Sequence, residues 1–378
     1  MNFISTRGGE KVSAARAIVN GLADNGGLYV PEKFPSVSAE EMQKMLEMSY
    51  PERAAKVLKK YLTEYDEKEL LSACESAYAK FEGDPAPLVR IDDGVYMLEL
   101  WHGPTCAFKD MALTLLPYLL RKGADICGVN EEILILTATS GDTGKAALEG
   151  FKDADGIKVM VFYPSEGVSK MQKLQMGTQE GSNVNVVAVK GNFDDCQTAV
   201  KEIFSNGEYA KTLLEKGVVL SSANSINFGR LAPQIAYYFS SYLDLVSAEQ
   251  IQMGEEIDFT VPTGNFGNIL AAYYAKRMGL PIRRLHCASN KNDVLTEFFA
   301  SGVYDIRREF YKTTSPSMDI LVSSNLERLV FESRAEIQSS RRSAWQSLKN
   351  AVSTPYPRTN CRLWAKFSTA EAPTTTSA

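Results

Sequence analysis

Trp101-His102-Gly103-Pro104-Thr105-Cys106-Ala107-Phe108-Lys109-Asp110 is the stretch on which the reading of this chain turns. Before it runs Val95-Tyr96-Met97-Leu98-Glu99-Leu100, which reads as a buried strand; after it, residues 111–120 are apolar with helical periodicity. The spacing predicts a helix over 108–121, so Lys109 falls in its first turn, at a strand-to-helix junction. Lysine is seldom buried without a partner. Burial at such a place disfavours the ammonium and favours a nucleophilic amine. That amine can form a Schiff base with a carbonyl. The other reading is a lysine whose stem snorkels from a helix end, and the stretch alone leaves both open.

Two further loops share the setting. Thr137-Ala138-Thr139-Ser140-Gly141-Asp142-Thr143-Gly144-Lys145 leads from a strand over 132–138 into a helix over 143–151. Its glycines allow close backbone approach, and hydroxyls with helix N-terminal amides suit an anion. It is not a Walker A loop, because Thr139 stands where the first glycine belongs and Ala146 where a Ser or Thr belongs. Val261-Pro262-Thr263-Gly264-Asn265-Phe266-Gly267-Asn268 lies between a strand over 257–262 and a helix over 267–278. It lacks the Gly-x-Gly-x-x-Gly spacing and the later acidic residue of a dinucleotide site. Each loop alone can also be read as an ordinary turn. Taken with Lys109, they put one candidate amine and two anion loops at strand-to-helix junctions, which share one edge in parallel sheets. A phosphorylated aldehyde cofactor needs that set, with one loop left over for a substrate carboxylate.

The surrounding pattern supplies the sheets. Strand-like runs at 95–100, 132–138, 157–162, 184–189, 217–221, 257–262 and 282–287 alternate with helical segments at 108–121, 143–151, 168–176, 194–206, 228–245 and 267–278. Continuous apolar strands separated by helices predict parallel sheets covered on both faces, and seven strands suffice for two sheets. The fold class expected is α/β. Residues 1–85 read as mostly helical, with Asp66 capping a helix that runs to Lys80, and Gly83-Asp84-Pro85-Ala86-Pro87 marks a boundary. Residues 333–378 lose apolar periodicity and end in low-complexity Glu371-Ala372-Pro373-Thr374-Thr375-Thr376-Ser377-Ala378, expected to be disordered.

Composition narrows the function. With 378 residues and 44% apolar content the chain can build two or three cores. A net charge of −5 gives no reason to expect nucleic acid or an anionic membrane as partner. Apolar runs are far shorter than the ~18 residues of a spanning helix, and the N-terminus shows no signal-peptide pattern. Six cysteines without a Cys-x-x-Cys pair fit free thiols in a reducing cytoplasm. Two histidines leave little for a His-rich metal site or a His-centred triad, so no metal is expected.

The ordered motifs resemble threonine synthase, a pyridoxal-phosphate enzyme of the tryptophan-synthase-β-like fold, fold type II. They begin with Ser5-Thr6-Arg7-Gly8 and Asp24-Asn25-Gly26-Gly27-Leu28-Tyr29-Val30-Pro31 and include the three stretches above. They continue through Asn292-Asp293-Val294-Leu295-Thr296, Pro316-Ser317-Met318-Asp319-Ile320 and Ser324-Asn325-Leu326-Glu327-Arg328, covering residues 1 to about 332. The resemblance implies an N-terminal threonine-synthase-like domain over 1–85. A catalytic region of two parallel-sheet α/β domains would follow over 86–332, the smaller at roughly 110–225, with a divergent tail over 333–378. It implies that Lys109 carries pyridoxal 5'-phosphate and moves protons. Gly264, Asn265, Phe266, Gly267 and Asn268 would bind the cofactor phosphate. Ser140, Gly141, Asp142 and Thr143 would meet the cofactor ring and the substrate carboxylate.

The implied reaction converts O-phospho-L-homoserine and water to L-threonine and phosphate, in a cytoplasmic monomer or homodimer with no nucleic-acid or membrane partner. Lys145, Lys170, Lys173 and Arg230 are candidate cations for the substrate phosphate, and His102 is expected to make a structural hydrogen bond. The family continues past residue 332 and brings a Ser or Thr to the pyridine nitrogen, a residue the motifs of this sequence do not place. A frameshifted or truncated reading frame is the expectation at that point, with a natural short variant as the alternative, and a missing C-terminal segment would impair activity. A phospho-lyase on the same substrate and an inactive relative acting as a binding protein are the alternatives.

Overall fold

The computed structural model describes residues 1–335 apart from 140, 167 and 192, together with residues 367–368. The chain opens with β1 (Asn2–Ser5) and β2 (Val12–Ser13), then α1 (Ala14–Asn20) and β3 (Tyr29–Pro31). The three strands form an antiparallel sheet in the order β2-β1-β3, which the helical expectation for this region did not include. α2 (Ala39–Lys44), α3 (Tyr50–Tyr61) and α4 (Glu67–Tyr78) follow. Ser38 and Glu41 close a capping box on α2, and Asp66 caps α4 by accepting from the Lys68 and Glu69 amides.

The stretch 95–100 departs from its expectation. β4 (Leu88–Asp92) and β5 (Val95–Leu98) form an antiparallel hairpin, not a strand of a parallel sheet. Val89, Ile91, Val95 and Met97 are exposed on one face of it. Only Leu98 and Leu100 pack against the core, so the apolar run reflects a half-solvated ribbon. Lys109 thus arrives from a hairpin through a long loop, and the shared sheet edge does not account for its position. The expected helix over 108–121 is two: α5 (Asp110–Leu113) and α6 (Leu116–Cys127), the second restarting with Pro117 in its first turn, where proline's missing N–H costs nothing.

The parallel sheets are as expected for the other runs. β6 (Glu132–Ala138), α7 (Asp142–Phe151), β7 (Ile157–Pro164), α8 (Lys170–Gly177), β8 (Val184–Val189), α9 (Phe193–Ser205), α10 (Gly207–Glu215) and β9 (Val218–Ser221) build a four-stranded sheet ordered β8-β7-β6-β9, parallel throughout. α10 was not anticipated. Then α11 (Phe228–Ser247), β10 (Ile257–Pro262), α12 (Gly267–Arg277), β11 (Ile282–Ala288), α13 (Val294–Ser301) and α14 (Leu326–Ala335) complete the described fold. β10 and β11 pair in parallel, and Phe367–Ser368 adds outside β11. The expectation of a disordered tail otherwise lies outside the described residues, beyond the end of α14.

α11 is the axis. It is buried along almost its whole length and packs on α3, α5, α6 and α12. Phe228, Leu231, Ile235, Phe239 and Leu243 are shut from solvent, each worth about 1.5–3 kcal/mol of transfer free energy. Its N-terminus therefore points a fixed set of side chains at the space between the two parallel sheets.

Candidate functional site

A cavity of about 1120 Å³ occupies that space. Lys109, Asp142, Arg230, Gly264, Phe266 and Ser317 are among its walls, so it gathers parts of all three sequence stretches.

Local chemistry fixes Lys109. The Asp110 carboxylate accepts from the Thr105 amide at 2.8 Å and the Thr105 hydroxyl at 2.7 Å, closing the loop into α5. Gly103 makes that closure possible: a Cβ there would stand 2.5 Å from Asp110 Cβ. Lys109, the N-cap of α5, then turns inward with 11% of its side chain exposed. Its Nζ donates to Asp142 Oδ2 at 2.6 Å. Burial pushes the ammonium below the usual lysine range; Asp142 opposes this and the nearby Arg230 charge adds to it. Burial would raise Asp142, but the Lys109 charge and hydrogen bonds from Lys109 and Ser317 outweigh it and hold the carboxyl low. The Ser317 hydroxyl donates to the same Oδ2 atom.

Asp142 opens α7, but the loop before it is not an open anion cradle. The Thr139 hydroxyl accepts from the Gly141 amide at 3.0 Å and the Gly144 amide at 2.9 Å, and the Thr143 amide donates to Asp142 Oδ1 at 2.9 Å. These groups are satisfied within the loop, and the feature turned to Lys109 is a carboxylate. Asp142 and Thr143 line the cavity; Ser140 lies outside the described residues.

The loop over 264–268 is the more open anion site. Phe266, at φ 64°, is the N-cap of α12 and supplies no side-chain acceptor, so the first amides of an eleven-residue helix face the cavity without a cap from it. Ser323 Oγ donates to the Gly264 carbonyl at 2.6 Å, and the Asn325 amide to the Asn265 carbonyl at 3.2 Å. Asn268 Oδ1 is taken by the Tyr237 and Tyr238 hydroxyls, the latter at 2.7 Å, tying α12 to α11. Its side chain is thus a brace, while its backbone stays at the helix start.

Among the four candidate cations, Arg230 lies in the cavity wall, and Lys145 is engaged by Glu149 at 3.1 Å and by Gln179. Lys170 is exposed and Lys173 partly so. Arg230 Nη1 donates to the Ala223 carbonyl at 2.5 Å, while its buried Nε has no hydrogen-bond partner among the described residues. Burial holds its pKa down at about 10. His102 pairs with Glu99 at 2.8 Å, the structural bond expected of it.

Sequence reasoning gave no role to Ser317 or Arg328, although both stand in quoted motifs. Arg328 is fully buried and donates to the carbonyls of Tyr29 at 2.9 Å, Ile226 at 2.6 Å and Ser225 at 3.4 Å. It joins the N-terminal sheet, the loop before α11 and α14. Arg7, Asn25 and Gly26 also reach the cavity rim.

The geometry fits a phosphorylated aldehyde. A desolvated amine faces the cavity, the first amides of α12 open onto it without a side-chain cap, and Arg230 lines it with a buried Nε that has no hydrogen-bond partner among the described residues. Comparison with known proteins agrees. Residues 2–78 match the model described as threonine synthase N terminus, and residues 79–339 that of pyridoxal-phosphate dependent enzymes. Threonine synthase-like 1 of Homo sapiens is 46% identical over 347 residues, covering 86% of this chain and 46% of that protein. Threonine synthase of Pseudomonas aeruginosa is 41% identical over 338 residues, covering 88% of this chain and 69% of its own length. The chain therefore spans just under half of the human protein and about two thirds of the bacterial one. Among solved structures, a PLP-bound threonine synthase from Brucella melitensis superposes with a TM-score of 0.88 at 39% identity, over 98% of this chain and 78% of that one. Yeast threonine synthase gives 0.87 at 32%, over 98% and 76%.

Proposed function

The chain belongs to the threonine synthase family of pyridoxal-phosphate-dependent enzymes, and from that premise we propose that it converts O-phospho-L-homoserine and water to L-threonine and phosphate. The observation that carries the reading is the Lys109 amine, buried against Asp142 in the cavity that also holds the uncapped start of α12.

Pyridoxal 5'-phosphate, when bound, supplies an aldehyde that condenses with amines and a ring that draws electrons from the substrate α-carbon. Lys109 holds the aldehyde end, and the amides at Gly264, Asn265, Phe266, Gly267 and Asn268 hold the phosphate end. Lys109 takes the proton from the substrate α-carbon and returns one at the end of the sequence, a role that burial favours by making the amine easier to free. Asp142 keeps the amine pointed into the cavity and steadies its protonated form. Arg230, already desolvated and short of one partner, attracts the departing phosphate. Thr143, in the cavity wall, offers its hydroxyl to the substrate carboxylate, because its amide and that of Gly141 are taken within the loop; Ser140 and Gly141 belong to the same loop in sequence. The division of labour follows the chain: residues 1–85 lend the rim Arg7, Asn25 and Gly26, and residues 86–332 make the catalytic region.

The test is phosphate release from O-phosphohomoserine with and without added pyridoxal phosphate, with product analysis. Threonine supports the reading, and a 2-oxoacid with ammonia means a phospho-lyase instead. Lys109→Ala should abolish turnover together with the cofactor absorbance that borohydride removes in the parent chain. Turnover surviving in that variant would sink the assignment.

A further inference from the structure

Ser317 lies in a single 3-10 turn, Pro316–Met318, far in sequence from the site it reaches. Its hydroxyl donates to Asp142 Oδ2, the same atom that receives the Lys109 ammonium. The turn is fixed from outside. Asp319 accepts from the Thr313 amide at 2.9 Å, the Thr313 hydroxyl at 2.7 Å, Asn290 Nδ2 at 2.8 Å and Asn292 Nδ2 at 3.2 Å. Asn292 in turn grips Tyr311 on both sides, its Nδ2 donating to the carbonyl at 2.8 Å and its Oδ1 accepting from the amide at 3.0 Å. On the inner side the turn rests on glycine backbone: a Cβ on Gly264 would sit 3.2 Å from Met318 Cα and 3.3 Å from the Ser317 carbonyl. One carboxylate therefore gathers four donors from two segments, and the result is one hydroxyl held on one oxygen.

We propose that Ser317, held in place through Asp319, is a positioning residue that sets how tightly Asp142 grips the Lys109 ammonium. The proposal rests on the reading of Lys109 as the reactive amine. A hydroxyl proton on Oδ2 draws off part of that oxygen's charge and points its positive end toward the ammonium it shares the atom with. Both effects weaken the hold on the Lys109 proton. The charged groups near the amine are Asp142 on α7, Arg230 on α11 and Asp110 on α5. Arg230 and Asp110 are held by other partners, Ala223 and Thr105. Ser317 modulates the closest of the three, the one in direct contact.

Trace acetylation of the cofactor-free chain with acetic anhydride across pH, read at Lys109 by peptide mass spectrometry, reports the midpoint at which this amine becomes nucleophilic. Ser317→Ala should move that midpoint up by about half to one pH unit, the worth of one ordinary hydrogen bond. Ser317→Thr, which keeps the hydroxyl, should restore it. Asp319→Asn should move it the same way, and the double variant should match Ser317→Ala alone, because Asp319 acts through Ser317. Thermal melting of each variant checks that the fold is kept. A midpoint that is unchanged or lower in Ser317→Ala, in a chain that melts like the parent, overturns the proposal, as do fully additive shifts in the double variant. If Lys109 does not carry the cofactor, the borohydride-sensitive absorbance of the parent chain fails instead, while the acetylation midpoints still decide the role of Ser317.

Discussion

Replacing Asp142 by asparagine should make Lys109 a freer amine. The two side chains meet at 2.6 Å with 11% and 23% of their surfaces exposed, so solvent screens the pair little. At a charge separation of about 4 Å and an effective dielectric near 20, the attraction is about 4 kcal/mol. The amide oxygen of the substituted side chain still accepts a hydrogen bond, which returns about 1 kcal/mol. The remaining loss of about 3 kcal/mol corresponds to roughly two pH units in the proton affinity of the amine. The sign is fixed by what stays behind: burial and the Arg230 charge both disfavour the ammonium, and only Asp110 still favours it. The acetylation midpoint at Lys109 should therefore fall, and at neutral pH the variant should take up pyridoxal phosphate faster than the parent. Turnover should drop all the same, because the amine loses the group that aims it. A midpoint that stays put or rises would refute the reasoning, since it would mean that Asp142 does not carry the charge that holds the Lys109 proton.

Arg328→Met removes a fully buried guanidinium and strands carbonyls of Tyr29, Ile226 and Ser225; urea unfolding should show a loss of about 3–5 kcal/mol, and a loss under about 1 kcal/mol would remove Arg328 from the joints of the fold. Gly264→Ala presses a methyl on the Met318 and Ser317 backbone at 3.2–3.3 Å; cofactor affinity measured by absorbance titration should weaken about tenfold, the effect of roughly 1.4 kcal/mol of strain. Asp258 is held down at about 2 by hydrogen bonds from Arg283 and His286. Its stabilising contribution is present above pH 3.8, its ordinary value, and is lost as pH falls through about 2. With Arg283 62% exposed, that contribution is about 1 kcal/mol. Asp258→Asn should therefore be less stable than the parent at neutral pH, with the gap closing as pH falls below about 2, and a gap that persists in stronger acid would assign the cost to packing.

Periodicity and local chemistry decided a large part of this protein. The strand-like runs at 132–138, 157–162, 257–262 and 282–287, separated by helical segments, called for helices on both faces, and they became the parallel sheets. Asp66, followed by helix formers, had to cap α4. Lys109 could be singled out because a lysine beside an apolar helix requires an explanation, and the motifs around it are ordered along the chain. The hairpin at 88–98 was misread because a ribbon with one wet face and a buried parallel strand look alike in six residues.

What tertiary structure alone decided is who meets whom. No pattern within the Ser140–Lys145 region says that Asp142 turns its carboxylate to Lys109 while Thr139 consumes the neighbouring amides. Nor does any spacing tell that Ser317, 175 positions from Asp142, shares its oxygen, or that Arg230 faces the cavity where Lys145 does not. Sequence fixes contacts within a few residues, since helix and strand geometry has only two periods. Contacts across the chain depend on which faces pack together, and only the packed core around α11 sets those.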